Sequence, residues 1–169
     1  NYYGFTLSGD HLYLDENFVV HHNTGKSVVI AMFLQQVFMQ YAGQKILCLT
    51  HVKELIEQNY NKLLAVWPNA PAGIYSAGLK RRDVIHPIIF AGIASVAKRW
   101  HEFGFVNLVL VDEAHLVNPT DETMYRTLIE GLKSVNPYLK VIGLTATPWR
   151  LGHGRIIDNG IFTDLCFDI

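Results

Sequence analysis

From Lys26 onward, apolar stretches with helical spacing alternate with short apolar runs of strand length. That alternation limits the fold more than any other feature. Strands separated by helices are laid side by side in parallel, and the crossover helices bury them. The expected strands are KILCLT (45–50), AGIYS (72–76), PIIFA (87–91), VNLVLV (106–111) and LKVIGLT (139–145). The expected helices lie near 26–41, 52–66, 93–101 and 122–134, with Pro68 stopping the second and Asn136-Pro137 the last. In 122–134, Met124, Leu128, Ile129 and Leu132 share one face, which should pack on the sheet. The class is therefore α/β, a parallel sheet with helices on both faces. A chain of 169 residues, half of them apolar and 17% charged, has enough apolar material for one such core.

Residues 1–23 break the rhythm. GFTLSGDHLYLDENFVV (4–20) falls into short β-like pieces around Gly9-Asp10 and Asp15-Glu16-Asn17, with no helical spacing. Two units are expected, 1–23 and 24–169. The chain opens on Asn1 rather than Met and is expected to be a piece of a longer polypeptide.

A net charge of −1 gives no overall basic field, so any nucleic-acid contact must come from local clusters. Lys80-Arg81-Arg82 and Lys98-Arg99 are the candidates, and each also reads as a solvated surface turn. Cys48 lies in an apolar run and Cys166 near the far end, without C-x-x-C spacing, so neither a zinc site nor a disulfide framework is indicated. A reducing, cytoplasmic setting fits this usage. No apolar run reaches 18 residues and no signal peptide opens the chain, so no membrane partner is expected.

The chemistry-bearing motifs begin at FVVHHNTGKS (18–27). Thr24-Gly25-Lys26-Ser27 reads as the second half of a phosphate-binding loop, G-x-x-x-x-G-K-[ST], whose backbone N–H groups wrap nucleotide phosphates. Five residues before Gly25 stands Val20, where that loop needs a glycine. By itself TGKS is also an ordinary helix start with Thr24 as N-cap. The run Val106–Val111 followed by Asp112-Glu113-Ala114-His115 has the form of a buried strand that delivers two carboxylates at its carboxyl end. An acidic residue there can hold Mg²⁺, directly or through water, beside the Ser27 hydroxyl, and a second carboxylate can orient and deprotonate an attacking water. The bland alternative is that Asp112 caps a following helix. Thr145-Ala146-Thr147-Pro148 likewise passes for a strand exit. All of these, with Thr50-His51, fall at the carboxyl ends of expected strands or at the helix start beside them, where open parallel sheets bind ligands.

TGKS, LTHVKELIEQN (49–59), IYSAGLKRRD (74–83), IIFAGIASVAKR (88–99), VLVDEAHLV (109–117) and GLTATPWRLGHGRI (143–156) together resemble the first RecA-like lobe of a superfamily 2 DEAD/DEAH-box helicase. The resemblance is to the RadD-like group, related to the Res subunits of type III restriction enzymes, and covers residues 24–169. It implies a P-loop NTPase using ATP and Mg²⁺, with Thr24, Gly25, Lys26 and Ser27 on the phosphates, Ser27 and Asp112 on the metal, and Glu113 as catalytic base. It also implies that Thr145, Ala146 and Thr147 couple hydrolysis to the grip on nucleic acid. Thr50, His51 and the loop from Gly92 to Ser95 would touch the nucleic-acid backbone, DNA ahead of RNA. A second RecA-like lobe with an arginine finger is an implied partner.

YGFTLSGDHLYLDENFVVHHN (3–23) resembles the last two sequence blocks of protein-splicing elements, which end in an apolar strand, His, Asn and then Ser, Thr or Cys. The resemblance implies an intein tail that leaves at Asn23–Thr24, with the upstream intein and extein half as partner. Asn23 can cyclise onto its own carbonyl, His22 can donate a proton, and Thr24 can supply a hydroxyl nucleophile. His11 stands where such elements often carry an assisting histidine. A metal site at His11, His21 and His22, or a surface His-His turn, are the alternatives. Phe18-Val19-Val20 is also expected to pair into the sheet edge as a stand-in strand.

Overall fold

The computed structural model describes residues 12–14, 20–22, 24–41, 43–117, 119–145, 149–150, 154–155, 161–162 and 164. In chain order the elements are β1 (Leu12–Leu14), β2 (Val20–His22), α1 (Thr24–Gln40), β3 (Ile46–Thr50), α2 (Lys53–Val66), β4 (Ala72–Ser76), β5 (Arg81–Arg82) and β6 (Ile88–Gly92). After these come α3 (Ile93–Val96), a 3₁₀ turn (Ala97–Glu102), β7 (Leu108–Val111), a second 3₁₀ turn (Ala114–Leu116), α4 (Pro119–Val135), β8 (Lys140–Gly143), β9 (Trp149–Arg150) and β10 (Gly154–Arg155).

Six strands form one sheet in the order β5-β4-β6-β3-β7-β8, parallel throughout except for β5. The period-2 alternation of the strands sorts their side chains to two faces. Ile46, Cys48, Ile88, Phe90, Leu108 and Leu110 meet Ile30, Ala31 and Leu34 of α1 with Ile56 and Leu63 of α2. Leu47, Leu49, Ile89, Ala91, Val109 and Val111 meet α3 and Tyr125, Leu128, Ile129 and Leu132 of α4 on the other face. The expected helix face of Leu128, Ile129 and Leu132 is therefore the face that packs. Among the described residues no helix is long and apolar enough to cross a membrane.

Several boundaries differ from the sequence expectation for local reasons. The helix expected at 93–101 is a single α turn followed by a 3₁₀ turn, broken at Arg99 (φ −119°). The break leaves Phe103 buried in the core and sets Trp100 over Gly131 of α4. Strand β7 starts at Leu108 rather than at 106, because Asn107 is drawn sideways to Lys45. Its side chain accepts from the Lys45 N–H at 2.9 Å, and its N–H donates to the Lys45 carbonyl at 2.8 Å. Helix α4 opens on Pro119, whose fixed φ and missing N–H suit the first turn. It is closed by Asn136, whose side chain donates to the Val106 carbonyl at 2.8 Å. Strands β5, β9 and β10, two residues each, are too short to show a period.

The stand-in strand is not found. Val20 lies in β2, which pairs antiparallel with β1 in a sheet of its own, while Phe18 and Val19 lie outside the described residues. A hairpin with a short connection satisfies these backbone groups locally, at less entropic cost than docking on a distant edge.

Gly131 yields a test. Alanine is the better helix former by ~1 kcal/mol. At this position, however, its methyl would meet the indole of Trp100, and crowding a packed core costs ~1–3 kcal/mol. Gly131→Ala is expected to lower the urea midpoint with an unchanged slope. A raised midpoint would show that Trp100 yields without cost.

Candidate nucleotide site

The site grows from the carboxyl end of β7. Beyond the strand, the Asp112 N–H donates to the Leu49 carbonyl at 2.9 Å, and the Leu144 N–H donates to the Val111 carbonyl at 2.8 Å. The Ala114 N–H then donates to the Leu144 carbonyl at 2.9 Å. Asp112-Glu113-Ala114-His115 is thus laced to the exits of β3 and β8 by main chain alone. Glu113 adopts a left-handed conformation (φ 53°, ψ 49°), sparsely populated for a residue with a Cβ. Its N–H is held by Asp112 Oδ1 at 2.9 Å. The turn aims consecutive carboxylates in different directions.

Asp112 points to helix α2, where Asn59 Nδ2 donates to its Oδ2 at 2.8 Å in a buried contact. Burial pushes the Asp112 carboxyl above its ordinary value, opposed by the Asn59 hydrogen bond and the Lys26 charge, while Glu113 adds to the rise. Glu113 points to α1. Its Oε1 lies 2.6 Å from Lys26 Nζ, and both side chains are largely buried. Ser27, one residue on, is buried and lines a groove of about 320 Å³ with Gln58, Asn61, Lys62 and Ala65. A smaller cavity of about 10 Å³ lies between Thr50, Cys48, Asn59 and Asp112, the scale of one water molecule.

His115 turns toward β8. Its Nδ1 lies 2.9 Å from Thr145 Oγ1 and 3.3 Å from Glu113 Oε2. Burial lowers the His115 pKa, with Glu113 raising it and Lys26 lowering it further. Thr50 is buried at the end of β3, and His51 Nε2 lies 3.1 Å from the hydroxyl of Tyr125 on α4. Gly92 ends β6, and Ser95 Oγ in α3 accepts from the Ala77 N–H at 3.1 Å. The basic cluster at 80–82 sits on the β4–β5 edge, where Arg81 pairs with Asp83 at 2.7 Å and Arg82 with Glu102 at 3.1 Å. Burial therefore lies with Ser27, Asp112 and Glu113, while Arg81 and Arg82 stay exposed.

The structure brings together Lys26, Ser27, Asp112, Glu113, His115 and Thr145. Thr24 and Gly25 form the first residues of α1. Asn23, Ala146 and Thr147 lie outside the described residues, and His22 is described only as part of β2. Asn59 was not singled out by sequence. Its one signal is a polar residue on the apolar face of α2, in line with Ile56 and Leu63. Among the described residues no group of three His, Cys, Asp or Glu side chains is placed to hold a metal. Mg²⁺ ordinarily takes one or two protein oxygens and completes its shell with waters and phosphate. Asp112 and Ser27 are hard oxygen donors, and a dication would relieve the charge repulsion between Asp112 and Glu113.

The fold is that of a RecA-like lobe. The chain matches the family described as "Type III restriction enzyme, res subunit" over residues 13–150, and it belongs to that family. Two solved structures of UvsW from bacteriophage T4 share the fold, both at 20% identity. "The crystal structure of T4 UvsW" has a TM-score of 0.54, with 74% of this chain and 25% of that chain covered. "Crystal structure of the UvsW helicase from Bacteriophage T4" has a TM-score of 0.53, with 73% and 44% covered. The chain thus spans less than half of either. No curated protein matches it.

The His115 shift gives a pH test. A free histidine titrates near ~6.5, and the folded value lies below it. The stability contributed by neutral His115 is present above the unfolded pKa and lost as pH falls through the folded one. In NMR titration the His115 midpoint should lie below that of an exposed histidine, and Glu113→Gln should lower it further. A midpoint that rises in Glu113→Gln would remove Glu113 from contact with the imidazole.

Proposed function

We propose that residues 24–169 are the ATP-binding lobe of a nucleic-acid helicase or translocase, and that residues 1–23 are the carboxyl-terminal end of an intein interrupting its phosphate loop. The observation that carries the ATPase reading is the 2.6 Å pair between Lys26 and Glu113 beside the buried Asp112. The closeness of Lys26, Glu113 and Asp112 supports a reading in which Lys26 serves the phosphates, Glu113 the attacking water and Asp112 a metal.

In this reading ATP phosphates compete with Glu113 for Lys26. When Lys26 swings to the β- and γ-phosphates, Glu113 is released and takes the proton of a water attacking the γ-phosphorus, while the bond from that phosphorus to the β–γ bridging oxygen breaks and ADP leaves with its electrons. Mg²⁺, held by Ser27 and Asp112, would supply charge neutralisation for the phosphates. Asn59 keeps the Asp112 carboxylate turned toward that position. His115, which touches both Glu113 and Thr145, carries the state of the site into Thr145-Ala146-Thr147. Nucleic acid, DNA ahead of RNA, would lie across Thr50, His51 and Gly92 to Ser95, and a second lobe would supply the arginine finger.

The intein reading is supported by the place where the loop pattern fails, at Val20 to Asn23, and by a hairpin that leads into α1 without joining the main sheet. The Asn23 side-chain nitrogen attacks the Asn23 carbonyl carbon and closes a succinimide, and the bond to Thr24 breaks. The departing Thr24 nitrogen takes a proton from His22, while the attacking amide loses one to water. A second reading, a duplex translocase that moves without unwinding, is favoured by the family match, which also runs across Asn23–Thr24. A nucleotide-independent interaction domain would leave the Lys26–Glu113 pair without a use. ATP turnover stimulated by duplex without strand separation would select the translocase.

Two sets of variants test the proposal. In the spliced, two-lobed product, Lys26→Ala should lose nucleotide binding. Glu113→Gln should retain binding and lose roughly two or more orders of magnitude in turnover, the scale of a general base. Undiminished turnover in Glu113→Gln would reject the base. In the intact chain, calorimetric titration of Mg-ATP should show little binding, and cleavage at Asn23–Thr24 should be strongly slowed by Asn23→Ala. Cleavage at the parental rate in that variant would dispose of the splicing chemistry.

A further inference from the structure

Alternation along the strands puts Cys48 and Thr50 of β3, together with Leu110 of β7 and Asp112 just past it, on the face that α2 covers. Asn59 comes down onto that face from α2. Between Thr50, Asn59 and Asp112 lies the chamber of about 10 Å³, whose other walls include Ile30, Cys48, Phe90 and Leu110. Those four side chains offer no hydrogen-bonding group stronger than a thiol. Asn59 is only 4% exposed. A carboxylate only accepts, so the amide must turn its nitrogen to Asp112, as it does at 2.8 Å. That choice leaves Asn59 Oδ1 without a hydrogen-bond partner among the described residues. A buried amide oxygen without a donor is costly and rare in folded chains. Thr50 is as enclosed, at 3% exposed, and its hydroxyl oxygen accepts from the Val52 N–H at 3.5 Å, which leaves its proton to donate.

We infer that the chamber binds a single water molecule, and that through this water the Thr50 hydroxyl fixes the carboxylate of Asp112. The polar groups around it match one water in number and in sign. The Thr50 O–H donates to the water, and the two water protons go to Asn59 Oδ1 and to an Asp112 oxygen. About three hydrogen bonds are the usual complement of a buried water, and the chamber has the volume that one needs. Asp112 then has a partner for each acceptor position, of which an ionised carboxylate has about four. One takes the Asn59 amide and another the Glu113 N–H. The water takes a third, and the last is left for a metal.

The part played by Thr50 changes accordingly. Its hydroxyl is turned inward, so residue 50 has only backbone to offer a nucleic acid, and Thr50 is a positioning residue for Asp112. The bound water follows from the chamber and the orphaned amide oxygen alone, whereas the use of Asp112 for a metal rests on the proposed function.

High-resolution crystallography of the intact chain tests the site. The parental chain should show one density peak at about 2.7–3.1 Å from Thr50 Oγ1, Asn59 Oδ1 and an Asp112 oxygen. Thr50→Val, of the same shape but without the hydroxyl, should lose the peak, and Thr50→Ser should keep it. In solution, magnetic relaxation dispersion of the water oxygen should count one long-lived water fewer in Thr50→Val than in Thr50→Ser. A chamber without density in the parental chain overturns the inference, whether or not the variants fold. The positioning role is read in the spliced, two-lobed product. There Thr50→Val should raise the Mg²⁺ concentration for half-maximal ATP turnover by about tenfold or more, the scale on which losing a partner of a metal-binding side chain is felt. Thr50→Ser should restore it. An unmoved Mg²⁺ midpoint in Thr50→Val overturns the positioning role, and a fall in nucleic-acid affinity in its place would assign the hydroxyl to the nucleic acid. No turnover in the parental product, with the water in its density, would uphold the site and reject the ATPase reading.

Discussion

The site depends on the hydrogen-bond ladder running one residue past β7. If Asp112 did not donate to Leu49, and Leu144 to Val111, the turn after β7 would be an ordinary exposed loop. Held on both sides, it cannot relax, and Glu113 is kept at a positive φ that an isolated Asp-Glu-Ala-His peptide would seldom visit. That strain buys the divergence of the two carboxylates, one toward α2 and one toward α1. Because the ladder consists of main-chain bonds, side-chain changes on the surface leave its donors and acceptors in place.

Charges at the end of this ladder are tolerable only in combination. Burial alone disfavours ionised Asp112, and the neighbouring Glu113 worsens it. Lys26 and Asn59 offset the cost, one by charge and the other by a donated hydrogen bond. The same partners are the ones a nucleotide would disturb, since Lys26 cannot serve Glu113 and a phosphate equally well. An ion pair of this kind adds little net stability once desolvation is counted. In the proposed reading its value is positional, keeping the carboxylate and ammonium close until an anion competes for the latter.

Much of the fold was legible because periodicity is local. The apolar runs at 45–50, 72–76 and 87–91 become β3, β4 and β6 with boundaries close to those expected, since all their residues but Lys45 and Pro87 are buried and no alternation confuses the reading. The 93–101 segment was less legible. Its composition suits a helix, and only the placement of Trp100 against Gly131 and of Phe103 in the core forces the break at Arg99. Lys26, Asp112 and Glu113 were visible through motif spacing, whereas Asn59 was not, because nothing local distinguishes a buried positioning amide from a polar interruption of a helix face.

The sequence alone determined most of the strand and helix segments, which of their ends carry the Thr-Gly-Lys-Ser and Asp-Glu-Ala-His groups, and where the phosphate-loop pattern breaks. These properties are written in spacings of a few residues and need no knowledge of the rest of the chain. Tertiary structure decided the strand order, the meeting of Asn59 with Asp112 across 53 residues and the partner of β2. Those outcomes follow from crossover handedness and from which buried backbone groups find partners, conditions that no short window of sequence can express.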